Sequence, residues 1–249
     1  MISVRALTKR FGRQVAVDAV DLDFVAGKSA GIIGPNGSGK STLFNMLTGH
    51  LIPSSGSIEF EERNITTIAP HLRVGMGMAR TFQLVSVFDS MKVWENLVLS
   101  TGRFDRKSFR PTKFFARPAS DRSFMEACIE ALERVGLQAM AGMRTSELSY
   151  GDKRMLEIGI ALSLRPRVLL LDEPLAGLSD FEIARVVTLL EETRRSCTLI
   201  LIEHKISKVL GLIDHLSVLN DGRLIRQGEP EAVMADPAVQ ECYWGKQVT

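Results

Sequence analysis

The sequence predicts an α/β fold in which an all-helical segment is inserted between two halves of one sheet. Three observations carry this. Uninterrupted apolar runs at Ala30-Gly31-Ile32-Ile33, Val168-Leu169-Leu170-Leu171 and Thr198-Leu199-Ile200-Leu201-Ile202 suit parallel strands covered on both faces. The first run leads into a glycine-rich turn and then a helical pattern. From Val93 to about Leu164, apolar positions recur at helical spacing instead.

The elements follow in order. Ile2-Ser3-Val4-Arg5-Ala6-Leu7 and Val20-Asp21-Leu22-Asp23-Phe24-Val25 alternate as half-buried strands do, with a turn-like Phe11-Gly12-Arg13 between them. The turn Pro53-Ser54-Ser55-Gly56 leads into a further strand, Ser57-Ile58-Glu59-Phe60. These strands form a small, mainly antiparallel sheet. After Gly34 to Thr42, Leu43, Met46 and Leu47 keep helical spacing until Gly49 stops it.

In the insertion, Phe124, Cys128, Ala131 or Leu132 and Val135 share one helix face that ends at Gly136. Met155, Ile158 and Leu162 line another helix, with Pro166 beyond its end. Between the last two apolar runs, a helix carries Ile183, Val186, Val187 and Leu190 on its buried side. Leu216-Ser217-Val218-Leu219 and Leu224-Ile225-Arg226-Gln227 flank Asn220-Asp221-Gly222 as a hairpin. Pro230 opens a short helix, and a tail closes at Tyr243-Trp244. The expected division is residues 1–84 and 165–229 for the core and antiparallel subdomain, 85–164 for the helical subdomain and 230–249 for a C-terminal tail.

Composition narrows the class. The chain has 249 residues, 45% hydrophobic and 24% charged, with a net charge of +2, so no nucleic-acid partner is implied. Cys128, Cys197 and Cys242 are odd in number and widely spaced, which fits a reducing cytosol better than a disulfide framework. Arg5, Lys9, Arg10 and Arg13 near the N-terminus do not suit a signal peptide, and no run reaches the ~18 apolar residues of a spanning helix.

Gly34-Pro35-Asn36-Gly37-Ser38-Gly39-Lys40-Ser41-Thr42 matches the phosphate-binding pattern G-x-x-x-x-G-K-S, between a strand and a helix as that pattern requires. Gly34, Gly37 and Gly39 let successive N–H groups approach phosphate oxygens, and the helix N-terminus adds positive potential. Lys40 would reach the β and γ phosphates, and the Ser41 hydroxyl would coordinate Mg²⁺. The run ending at Leu171 delivers Asp172 and Glu173 where an α/β sheet places ligand chemistry. Asp172 would hold Mg²⁺ directly or through water, and Glu173 would polarise the attacking water. Alone, such a carboxylate pair is as often a solvated turn; the phosphate loop is what favours function.

Leu148-Ser149-Tyr150-Gly151-Asp152, upstream of Asp172-Glu173, resembles the signature motif of ABC-type ATPases, and the resemblance runs through essentially the whole chain. It implies a P-loop ABC ATPase core that binds ATP and Mg²⁺. It further implies that Phe11 stacks on adenine and that His204 is the switch histidine. Gln83 then lies in the loop that senses Mg²⁺ and contacts the transport subunit. Ser149 and Gly151 complete the ATP site of a second subunit, either a paralogue or another copy. Taken singly, Ser149 could merely cap a helix, Phe11 could be core packing, and His204 a satisfied structural histidine.

Ala79-Arg80-Thr81-Phe82-Gln83, Ile202-Glu203-His204-Lys205, Tyr150 and the closing Tyr243-Trp244-Gly245 look like the ATP-binding subunit of branched-chain amino-acid importers. That implies permease subunits, a solute-binding protein and a peripheral position on the cytoplasmic face of the membrane. An ATPase of a lipid or lipopolysaccharide exporter would share every nucleotide motif and is the alternative. Two positions depart from the wider superfamily: Ser179 stands where Asp is common, and Asp152 where Glu or Gln ends the signature. The first puts strict coupling between paired sites in question. Residues 103–122 interleave Arg and Lys with Phe. They are read as a solvated excursion packed on the helical lobe in preference to a contact for anionic lipid headgroups.

Overall fold

The computed structural model describes residues 1–82, 85–102, 122–204 and 206–244. Gln83, Lys205, Gly245 and residues 103–121 therefore lie outside the described residues, and with them the family roles expected there.

Strands β1 (Ile2–Phe11) and β2 (Gln14–Phe24) form an antiparallel hairpin, and β1 also pairs with β4 (Ser55–Phe60), which pairs with β5 (Arg63–Asn64). The hairpin turns at Gly12, whose φ of +58° suits a residue without a Cβ. The second sheet has six strands in the order β10-β9-β3-β8-β7-β6. They are β3 (Ala30–Ile33), β6 (Met78–Arg80), β7 (Val168–Asp172), β8 (Thr198–Ile202), β9 (His215–Asn220) and β10 (Arg223–Gly228). Pairing is parallel throughout except in the β9–β10 hairpin.

The apolar runs explain how this sheet is covered. Successive strand residues point to opposite faces. Ile33, Leu169, Leu171, Leu199 and Leu201 therefore pack in one core with the helices of the insertion. Ile32, Val168, Leu170, Ile200 and Ile202 pack in another with the antiparallel sheet and helix α1 (Lys40–Leu47). The chain passes from β6 to β7 through α3 (Val93–Gly102), α4 (Arg122–Arg134) and α5 (Tyr150–Ser163). Cys128, Ala131 and Leu132 on α4, Val135 directly after it, and Met155, Ile158 and Leu162 on α5 are buried, as their spacing predicts.

Three features differ from the sequence reading. On α6 (Asp180–Thr193) the buried side is Ile183, Val186, Leu189 and Leu190, with Val187 only half-buried. The apolar stripe thus turns by a fraction of a residue from the expected one. The tail beyond α7 (Pro230–Met234) is helical, α8 (Pro237–Trp244), with Val239 fully buried. Arg73, on the short α2 (Pro70–Val74), is also buried although nothing in its neighbourhood announces it. Its guanidinium donates to the carbonyls of Met46 and Leu47 at 2.9 and 2.6 Å, and to Ile65 and Ile68. A cation there complements the negative, carbonyl-bearing end of α1. Burial pulls its pKa down to about 10.

Candidate nucleotide site

Parallel register puts the site on one edge of the sheet. Ile32 pairs with Ile202, and Ile202 with Asp172, so the residues after β3, β7 and β8 leave the sheet at the same level. From β3 the chain enters the Gly34–Thr42 loop. Gly34, Gly37 and Gly39 have φ of +154°, +81° and +98°. A Cβ on Gly34 would stand 2.1 Å from the Leu219 carbonyl oxygen, and one on Gly39 would stand 2.4 Å from that of Ala16. Both obstacles are backbone, so only glycine fits. The loop is also tied from outside, since Gly222 N–H in the β9–β10 turn donates to Ser38 O at 3.1 Å.

Lys40 is 6% exposed and its ammonium donates to Gly34 O at 2.8 Å and Pro35 O at 2.9 Å. Burial lowers its pKa, while the nearby charges of Glu173 and Asp172 act in the opposite direction. Asn36, Gly37 and Ser41 are exposed, Thr42 and Pro35 half-buried, and Ser38 and Gly34 buried. A cradle of backbone N–H groups closed to any Cβ, with an ammonium beneath it and a hydroxyl at the helix start, fits a polyphosphate. Phe11 ends β1 with 48% of its surface exposed, in the same hairpin whose Ala16 carbonyl abuts Gly39. An exposed aromatic at a hairpin tip beside the loop can present its face to a flat base.

Asp172 is buried at the end of β7 and forms an ion pair with Arg80 of the neighbouring β6, at 2.9 Å. Burial raises the Asp172 pKa, and Arg80 opposes that rise. The guanidinium also donates to Asn45 Oδ1 at 2.6 Å and Thr48 Oγ1 at 3.0 Å on the phosphate-loop helix and its cap. Arg80 thus locks β7 to α1. Glu173 follows with φ +48°, and its Oε1 lies 3.1 Å from His204 Nε2. The structure therefore gathers Lys40, Asp172, Glu173 and His204, which the sequence places up to 164 residues apart (204 − 40).

Ser149 and Gly151 lie elsewhere, at the head of α5. Ser149 is the N-cap: its Oγ accepts from Asp152 N–H at 3.1 Å and donates to Asp152 Oδ2 at 2.7 Å. Asp152 Oδ1 in turn pairs with Arg185 of α6 at 2.9 Å. Ser179, at the position of the superfamily's Asp, caps α6 in a reciprocal box with Glu182. Hydrogen bonds from Ser179 hold the Glu182 carboxyl below its usual range, with a further one from Gly151 N–H. Capping accounts for Asp152 and for Ser179 in the same terms.

Residues around Gln83 are gripped from α5. Arg154 donates to Phe82 O at 2.8 Å and to Glu157 Oε2 at 2.7 Å, while Glu157 Oε1 accepts from the N–H of Phe82 at 3.0 Å and of Ser86 at 3.4 Å. Arg154 is fully buried, and burial raises the Glu157 pKa against the pull of these bonds and of Arg154. Sequence reasoning gave no role to Arg80, Arg154, Glu157 or Glu203. A charged residue inside an apolar strand or helix pattern was the available signal, because such a group is buried only when paired.

A family model described as ABC transporter matches residues 17–176. The chain is 37% identical to the high-affinity branched-chain amino acid transport ATP-binding protein LivG of Salmonella typhimurium strain LT2, over 99% of this chain and 98% of the relative. It is 31% identical to the lipopolysaccharide export system ATP-binding protein LptB of Acidithiobacillus ferridurans, over 99% and 98%. The ADP conformation of MJ1267, an ATP-binding cassette of an ABC transporter, superposes with a TM-score of 0.84 at 32% identity, covering 99% of both chains.

Proposed function

This chain belongs to the ABC transporter family as an ATP-binding subunit, and from that premise we propose that it powers import of branched-chain amino acids or related small solutes. The observation that carries the ATPase reading is the Glu173–His204 contact of 3.1 Å on the strand edge where Lys40 and Asp172 also lie. Identity of 37% to a branched-chain amino acid subunit, against 31% to a lipopolysaccharide export subunit, supports the solute class.

In this reading the loop N–H groups and Lys40 hold the β and γ phosphates of ATP, and Phe11 stacks on the base. Ser41, Asp172 and Gln83 would hold Mg²⁺, which when bound offsets phosphate charge. Glu173 accepts a proton from water as the water oxygen attacks the γ-phosphorus, and ADP departs. His204 and Gln83 contact the γ-phosphate. Most of the acceleration is positioning and charge stabilisation, so incomplete assembly means slow turnover.

Ser149 and Gly151 present a capped helix N-terminus that would complete the ATP site of a second subunit, self or paralogue. Among the described residues no helix is long and apolar enough to cross a membrane. Permease partners, reached through the Gln83 loop and the helical subdomain, would place the chain on the cytoplasmic membrane face, with a solute-binding protein outside.

Glu173→Gln tests the chemistry. ATP binding should persist while phosphate release falls by about 10²–10⁴-fold, the usual weight of a general base. Normal hydrolysis by that variant would sink the assignment. Co-purification from native membranes tests the transport class: permeases whose complex hydrolyses ATP faster with leucine, isoleucine or valine are expected. Permeases that answer only to a lipid or lipopolysaccharide would favour the exporter reading, which the second relative supports.

A further inference from the structure

We infer that Glu203 is a positioning residue for hydrolysis, its buried carboxylate fixing the backbone on both sides of the Glu173–His204 contact. The inference rests on the ATPase reading above. Glu203 follows β8 immediately and is 3% exposed. Its Oε1 accepts from Leu175 N–H at 2.8 Å, and its Oε2 accepts from His204 N–H at 3.1 Å.

Leu175 lies two residues beyond Glu173 and is fully buried, so the first bond anchors the turn that carries the glutamate. That turn needs an anchor. Glu173 sits at φ +48°, a region non-glycine residues occupy only when their surroundings impose it. Two further bonds impose it: Glu173 N–H donates to Ile202 O at 2.9 Å, and Ala176 N–H donates to Glu173 O at 3.1 Å. The second carboxylate oxygen holds the backbone from which the His204 ring extends. A closed ring results, from Glu173 along the chain to Leu175, across to Glu203, on to His204, and back through Nε2 to Glu173 Oε1.

A carboxylate is suited to the task because both of its oxygens accept. Glutamine has nearly the same shape, but only one end of its amide accepts; the other would set an NH₂ group against a backbone N–H. Glu203→Gln therefore frees one side of the ring with little change in volume. Glu203→Asp keeps the charge but withdraws it by one methylene, so it reaches at most one of the two N–H groups.

The test measures steady-state phosphate release by the chain assembled in its membrane complex, with equilibrium affinity for a fluorescent ATP analogue and thermal melting of the chain itself, for wild type, Glu173→Gln, Glu203→Gln, Glu203→Asp, His204→Ala and the Glu203→Gln/His204→Ala double variant. Glu203→Gln should lower kcat at least about tenfold, within the range that small misplacements of a reacting group produce. Affinity for the analogue should stay within about twofold, because the two backbone bonds at issue run to Leu175 and His204. In a double-mutant cycle, adding Glu203→Gln to His204→Ala should cost less than about twofold more, since the two act through one contact.

Wild-type turnover in a folded Glu203→Gln protein overturns the inference, as does full additivity with His204→Ala. Parallel loss of kcat, affinity and melting temperature in both Glu203 variants overturns it as well, because that pattern marks a general structural role. If instead wild type releases no phosphate, or Glu173→Gln releases it normally, the ATPase reading itself fails, and the two failures are told apart.

Discussion

The two helix N-termini proposed to face nucleotide, at Lys40 and at Ser149, are built in opposite ways. The one at Lys40 is enclosed: three positive-φ glycines precede it, backbone carbonyls of Ala16 and Leu219 press against it, and Lys40 bonds to its own loop. The one at Ser149 is open, with Ser149 and Tyr150 exposed, α6 beside it through Arg185 and Glu182, and the turn at Gly177 against the Tyr150 ring. A cradle that must not move is made from contacts with its own sheet. The terminus proposed to complete a second subunit's site is held from behind by α6 and left bare in front. In the proposed reading, a ligand cradle and half of a shared site use the same helix-terminus physics with opposite burial.

Changes at the enclosed terminus should do the most damage. Gly39→Ala puts a Cβ 2.4 Å from the Ala16 carbonyl oxygen at φ +98°, and the loop must shift to relieve it. Nucleotide affinity measured by titration should fall about 100-fold, the scale on which displaced contacts fail. Unchanged affinity would mean that the close approach does not define the cradle.

A change at the open terminus should separate folding from function. Ser149→Ala removes an N-cap worth about 1 kcal/mol, which lowers the melting temperature by roughly 2–4 °C in a chain of this size. Nucleotide affinity of the isolated chain should hold, while phosphate release by the assembled dimer falls about tenfold or more. Weakened binding in the isolated chain would place Ser149 in the same site as Lys40 and end the contrast.

The smallest effect concerns Ser179. Aspartate caps as well as serine, so Ser179→Asp should change unfolding free energy by less than about 0.5 kcal/mol in a denaturant titration. A larger loss would show that the Ser179 hydroxyl, which donates to Glu182 Oε2 at 2.7 Å, does more than cap α6.

Much of this was legible in the sequence because it rests on local rules. The all-apolar runs announced strands buried on both faces, and β7 and β8 are just that. The glycine spacing announced the loop between β3 and α1, and a cap was one of two roles open to Ser149 until Asp152 N–H was found donating to its Oγ. Helix α8 was missed because its apolar stripe is weak and is paid back only by contact with the rest of the fold. The tilt of α6 toward Leu189, with Val187 half-buried, likewise depends on what packs above it.

The strand–loop–helix cradle and the carboxylates at a strand end follow from local residue order, since each is dictated by bonds and dihedrals within a few residues. The partners of the buried charges come from the folded arrangement instead. Arg80 meets Asp172 across 92 residues, and Arg154 meets the carbonyl of Phe82 across 72. Glu203 reaches back across 28 residues to the N–H of Leu175. A charge may be buried only where a partner waits, and the parallel register of the sheet decides which residue that partner is.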